Sequence, residues 1–194
     1  VVHQYFVIYK PYGVVSQFSG GGHTLKDFYN FPIDVYPVGR LDKDSEGLLL
    51  LTNDPSVHHK LTDPKFGHVK TYWVQVEGQF TESDARLMEK GVDITLPDKT
   101  KYKTKRCRIS ILNQDVSLPE RNPPVRFRKT VPDTWIEIHL TEGKNRQIRR
   151  MTAALGFPTL RIVRVAIGAY QMGNMQPGEV RVLKHSELKS CFNF

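Results

Sequence analysis

The chain has 194 residues and a net charge of +8, and at 39% hydrophobic and 25% charged it has the composition of a globular protein with one full-sized core. Its longest apolar run is too short to cross a bilayer, and the N-terminal residues lack the basic-then-apolar layout of a secretion signal. Cys107 and Cys191 make neither a disulfide framework nor a metal-ligand spacing, so a cytoplasmic protein with reduced thiols, no membrane partner and no metal is expected.

In chain order, the β-prone stretch 5–9 predicts a strand stopped by the turn formers Lys10-Pro11-Tyr12-Gly13. Glycines at 20–22 make a flexible loop, and no Gly-Lys-Ser/Thr follows them, which argues against a nucleotide-binding loop. Residues 35–38 lead into Gly39, and 48–52 reads as a buried strand. Asp54 and Pro55 are placed to cap and open a short helix reaching Leu61. On that helix His58 and His59 diverge by about 100° and cannot share a metal. Residues 70–77 predict a strand with Tyr72, Val74 and Val76 on one face and Thr71, Trp73, Gln75 and Glu77 on the other. Thr81, with Asp84 three residues on, opens a helix over 81–89 that Gly91 closes. The alternating segment 101–112 reads as one strand or hairpin arm, and 113–132, with four prolines, as a long loop. Residues 135–140 alternate again, with Ile136, Ile138 and Leu140 towards the core. Glu142-Gly143 then turns the chain into a helix over 146–155, capped by Gly156. Strands near 160–165 and 179–183 complete a strand-rich α+β pattern.

The positive charge is local. Residues 99–150 hold 14 Lys/Arg and 5 Asp/Glu, whereas the rest of the chain holds 14 and 15, which points to an anionic partner for that stretch. In its last part, Ile148, Met151 and Leu155 share the core face of the predicted helix, while Arg146, Arg149 and Arg150 share another. Cations in a first helical turn oppose the macrodipole, so arginines and Lys144 gathered there suit phosphates better than an isolated surface. Between two apolar segments lies Gly39-Arg40-Leu41-Asp42-Lys43-Asp44-Ser45-Glu46-Gly47. Its polar residues would be needed in any solvated link, but Asp42, directly after a strand and Leu41, is also placed for the rim of a pocket.

Gly39-Arg40-Leu41-Asp42-Lys43-Asp44-Ser45-Glu46-Gly47-Leu48-Leu49, then Lys70-Thr71-Tyr72, then Glu142-Gly143-Lys144-Asn145-Arg146-Gln147-Ile148-Arg149-Arg150-Met151 resembles, in order, the three motifs of the RsuA/RluB/RluE-type pseudouridine synthases. Lys10-Pro11-Tyr12-Gly13-Val14 matches as well, with Tyr9 where the family more often has Asn. Arg121-Asn122-Pro123-Pro124, Arg128-Lys129 and Pro132-Asp133-Thr134-Trp135 direct the resemblance to the E-type branch. The resemblance implies a pseudouridine synthase fold over 1–194, a mixed, mostly antiparallel sheet in two lobes with a central catalytic cleft, and no S4-type domain. It implies isomerisation of one uridine of 23S rRNA to pseudouridine by a monomer without cofactor. Carried over by position, Asp42 is the nucleophile, Tyr72 stacks on the flipped base, and Lys144 is the basic partner of Asp42. Arg40 enters the gap the base leaves, and Arg146, Gln147, Arg149 and Arg150 contact RNA.

A non-catalytic RNA-binding or ribosome-assembly module would use the same basic face, but it leaves Asp42 beside Arg40 without a purpose. A nucleoside or glycoside hydrolase would need a second carboxylate about 5–9.5 Å from the first, from Asp44 or Glu46, and leaves the Arg/Lys-rich motifs in excess.

Overall fold

The computed structural model describes residues 2–126 and 128–192, and the chain forms two compact units, Val1–His68 with Val163–Phe194, and Val69–Ile162. Its elements begin β1 (Tyr5–Lys10), β2 (Tyr36–Pro37), β3 (Glu46–Thr52), α1 (Pro55–Thr62), β4 (Lys70–Glu77), α2 (Glu82–Glu89), β5 (Asp93–Thr95) and β6 (Lys101–Lys103). They continue with β7 (Arg108–Ile111), β8 (Asp133–Leu140), α3 (Gln147–Ala154), β9 (Thr159–Ile167), β10 (Tyr170–Gln171), β11 (Val180–Leu183) and α4 (His185–Phe192). Antiparallel pairs dominate, as expected for this α+β pattern.

In the first unit β1 lies between β3 and β11, antiparallel to both, with Tyr5 opposite Thr52 on one side and Leu183 on the other. Leu48, Leu49, Leu50 and Leu51 are at most 2% exposed, so β3 buries both faces and reads as a continuous apolar run rather than an alternation. Each such leucine contributes about 1.5–3 kcal/mol of burial. β3 also pairs parallel with β9, Glu46 opposite Val163 and Gly47 opposite Arg164. A parallel pair needs a long crossover, and the chain from α1 through the second unit supplies it. Asp54 caps α1 as its sequence position predicts, accepting from the Ser56 and Val57 N–H groups at 3.0 and 3.4 Å.

In the second unit β4 and β8 pair antiparallel over their full length, Lys70 opposite Leu140 to Glu77 opposite Asp133, and β7 adds to the far edge of β8. Val74, Val76, Ile136 and Ile138 are fully buried on one face. On the other, Glu137 accepts from Trp73 Nε1 at 2.8 Å and bonds His139 Nε2 at 2.8 Å, while His139 Nδ1 bonds Thr71 Oγ1 at 3.2 Å. The expected capping box opens α2, Thr81 and Asp84 bonding each other's backbone N–H.

The segment 101–112 is not one strand. β6 pairs with β5 in a separate two-stranded ribbon, and β7 pairs with β8. Thr104 is buried at the break: its N–H donates to Val92 O, and Val92 N–H donates to its hydroxyl. The proline-rich segment carries no helix or strand among its described residues. Arginines hold it instead: Arg121 donates to Pro123 O at 2.8 Å and Pro124 O at 3.1 Å, and the buried Arg161 to Pro119 O at 2.7 Å. The last helix, α4, buries Leu188 and Phe192 four residues apart and was not evident from sequence spacing.

Candidate active site

In the first unit the acidic link between β2 and β3 is pinned residue by residue. Leu41, 6% exposed, donates its N–H to Ser16 Oγ at 3.0 Å and accepts from the same hydroxyl at 2.7 Å, so the residue preceding Asp42 is locked on both sides. The Asp42 carbonyl accepts from Ser45 N–H at 3.0 Å, and the Lys43 carbonyl from Gly13 N–H at 2.8 Å. Asp42 itself is half-buried, and Arg40 is exposed with its guanidinium donating to Gln17 Oε1 at 3.3 Å.

Under this link lies Lys10, fully buried at the end of β1. Its ammonium donates to Pro11 O at 2.8 Å, Val14 O at 2.7 Å and Lys43 O at 3.5 Å. Burial lowers its pKa to about 8, against the opposing pull of the Glu46, Asp44 and Asp42 charges; nearby Arg164 lowers it further. The ammonium thus ties the turn after β1 to the acidic link and offsets its negative charge. Lys10 and Ser16 were not named as site residues from the sequence, where Lys10 read as part of a turn and of a stretch matching the family. The available signal was a lysine closing an apolar strand in a chain with three clustered carboxylates elsewhere. The link ends where β3 comes closest to β9: at Gly47, φ +108°, a Cβ would stand 2.3 Å from Arg164 O, and Arg164 Nε donates to Leu48 O at 2.7 Å.

The second unit holds the other predicted residues. Tyr72 is 9% exposed and shares its strand face with Val74 and Val76, which are fully buried. Lys144 lies exposed in the link from β8 to α3, with Nζ 4.8 Å from the centroid of the Tyr102 ring. α3 starts one residue later than expected: Arg146 stands at its N-cap in the left-handed region, φ 51°, and leaves the helical arginine face to Arg149 and Arg150. Gln147 is buried, 3% exposed. Its Nε2 hydrogens go to Glu142 Oε1 and Met151 Sδ, and its Oε1 accepts from Lys144 N–H. Gln147, expected to contact RNA, is an internal brace in this structure, both its amide donors being used within the unit. Arg150 spans from α3 to β5, donating to Asn145 O at 3.0 Å, Thr95 O at 2.7 Å and Asn145 Oδ1 at 3.2 Å. Among the described residues no group of three or more His, Cys, Asp or Glu side chains could hold a metal ion. No helix among them is long and apolar enough to cross a membrane.

A model of the RNA pseudouridylate synthase family matches residues 4–154, a span that contains Lys10, Asp42, Tyr72 and Lys144. The chain belongs to that family. The synthase is 52% identical over 177 residues to the ribosomal large subunit pseudouridine synthase E of Xanthomonas campestris pv. campestris, covering 89% of this chain and 91% of the relative. It is 50% identical to the enzyme of the same name from Vibrio vulnificus, covering 88% and 70%. A solved structure, a crystal structure of pseudouridylate synthase, superposes with a TM-score of 0.78 at 30% identity over 97% of this chain and 73% of that one. The synthase is thus an RNA-modifying isomerase that converts uridine to pseudouridine, and the reading as a non-catalytic binding module falls away.

Proposed function

We propose that the synthase isomerises one specific uridine of 23S rRNA, as free rRNA or a large-subunit precursor, acting as a cytoplasmic monomer whose catalytic domain spans 1–194, with Asp42 as nucleophile. Moving uracil from N1 to C5 attachment breaks the C1′–N1 bond, rotates the base, forms C1′–C5 and moves the C5 proton; no atom is gained or lost. A carboxylate that attacks C1′ or C6 must be ionised and held still. The observation that carries the assignment is the pair of hydrogen bonds between Ser16 and Leu41 beside Asp42, with the buried Lys10 ammonium bonded to the Lys43 carbonyl on the other side: the backbone that presents this carboxylate is fixed before and after it. A stacked uridine must first be extruded at a cost of about a few kcal/mol. Arg40, exposed two residues before Asp42, fills the vacated stack; Tyr72 stacks on the extruded base. Lys144 supplies positive charge to the reacting carboxylate, and Arg146, Arg149 and Arg150 serve phosphates.

The test is to incubate the protein and its Asp42→Asn variant with 23S transcript and map pseudouridines by carbodiimide-dependent reverse-transcription stops. One new stop with the parent protein and none with Asp42→Asn, at unchanged RNA affinity, is expected. Modification by pure Asp42→Asn overturns the nucleophile, and modification confined to other RNAs overturns the substrate.

A further inference from the structure

Lys144 is held at two points that lead to one carboxylate. Its main chain is clamped by Gln147, whose Oε1 accepts from Lys144 N–H at 2.9 Å and whose own N–H donates to Lys144 O at 3.1 Å. Gln147 Nε2 donates in turn to Glu142 Oε1 at 2.8 Å, which also accepts from Lys105 N–H at 2.7 Å. The other oxygen, Oε2, accepts from the Tyr102 hydroxyl, and the ring of that tyrosine faces the Lys144 ammonium. A carboxylate only 5% exposed is costly unless its lone pairs are filled. Tyr102, Lys105 and Gln147 fill them, so Glu142 is a fixed post from which both ends of Lys144 are set. The bond to Glu142, with burial, pushes the Tyr102 hydroxyl up to about 12, so it stays a donor at neutral pH. Closing the β8–α3 link requires Glu142 and Gln147; it does not require an aromatic face beneath the ammonium.

We propose that Tyr102 is a positioning residue for Lys144 in the isomerisation, its ring seating the ammonium and its hydroxyl bond to buried Glu142 fixing the ring. The inference rests on the role given to Lys144 above. Single-turnover rates at saturating 23S transcript, and RNA dissociation constants, test it in Tyr102→Leu, Tyr102→Phe, Lys144→Met and the double variant Tyr102→Leu/Lys144→Met. A cation–π seat of ordinary strength predicts that Tyr102→Leu slows the saturated rate about 2- to 30-fold with RNA affinity unchanged. Tyr102→Phe, which keeps the ring without the tether, falls between. In the Lys144→Met background Tyr102→Leu has no further effect, because the group it seats is gone. Equal slowing by Tyr102→Leu in both backgrounds, or a Phe variant as slow as Leu, overturns the positioning role and leaves Lys144 standing. If Lys144→Met does not slow the saturated rate, the reading of Lys144 fails and this inference fails with it. Should Tyr102→Leu not fold, the same cycle built on Tyr102→Phe decides between additive and absent effects.

Discussion

A lysine with no exposed surface survives at position 10 because backbone carbonyls receive its hydrogens and the carboxylates of Asp42, Asp44 and Glu46 oppose the cost of its burial. That balance has a pH signature. The folded pKa, about 8, is depressed below the ordinary value of 10.5, so the charged form is disfavoured by folding. The penalty is fully present below pH 8 and is relieved as pH rises from 8 to 10.5, where the unfolded chain binds more protons. Urea unfolding at pH 7 and pH 10 should therefore show the parent protein gaining roughly 2.5 kcal/mol relative to Lys10→Met over that interval. A constant difference between the two proteins would mean that Lys10 titrates at its ordinary value. Tyr72 carries a separate expectation. Tyr72→Phe keeps a stacking plane and Tyr72→Leu removes it, so the Leu variant should bind RNA about 1–3 kcal/mol more weakly than Phe in a filter-binding titration. Equal affinities would mark Tyr72 as a core residue only.

Strands and helices with a strong local pattern were legible in the sequence, and those set by distant partners were not. β4 could be read to the residue because Tyr72, Val74 and Val76 alternate against a polar face, and α1 and α2 because Asp54 and Thr81 are unambiguous caps. The break between β6 and β7 was hidden, since 101–112 alternates throughout, and long-range bonds such as those of Thr104 to Val92, Lys105 to Glu142 and Cys107 to Glu89 make the chain change sheets. The site divides the same way. Motif resemblance proposes Asp42, Tyr72 and Lys144, whereas the buried positions of Gln147 and Lys10 depend on tertiary packing that no spacing displays. Gly47 shows how tight that packing is. In Gly47→Ala the new methyl meets the backbone of Arg164 at a φ that side chains avoid, and because the obstacle is backbone it cannot swing aside. The variant should lose about 3 kcal/mol or more, read from the urea midpoint, with the parallel pairing of β3 and β9 the part most affected. A loss under about 1 kcal/mol would show that β9 yields at this point.

The two units differ in charge as well as in residues. Val69–Ile162 holds 18 Lys/Arg and 11 Asp/Glu, a net +7, and the remainder of the chain 10 and 9. RNA affinity should therefore depend on salt through the second unit. Neutralising the exposed Lys103 and Lys105 to Gln should flatten the log–log salt slope by about 0.7 to 0.9 for each phosphate that the variant no longer neutralises, whereas Lys65→Gln with Lys189→Gln should leave it alone. Equal flattening by both pairs would disprove the division. The division also has an order in time. The second unit is one uninterrupted stretch of chain, while the first is assembled from the segments on either side of it, and Tyr5 of β1 finds its partner Leu183 only after the whole second unit has been made. At about 5–20 residues per second, one edge of β1 waits on the order of ten to tens of seconds after it is made. Through that interval a nascent chain carries an open strand edge, joined by a finished second unit only in its last part, so the ribosome making this enzyme displays a sticky half-sheet that a holding chaperone is suited to cover.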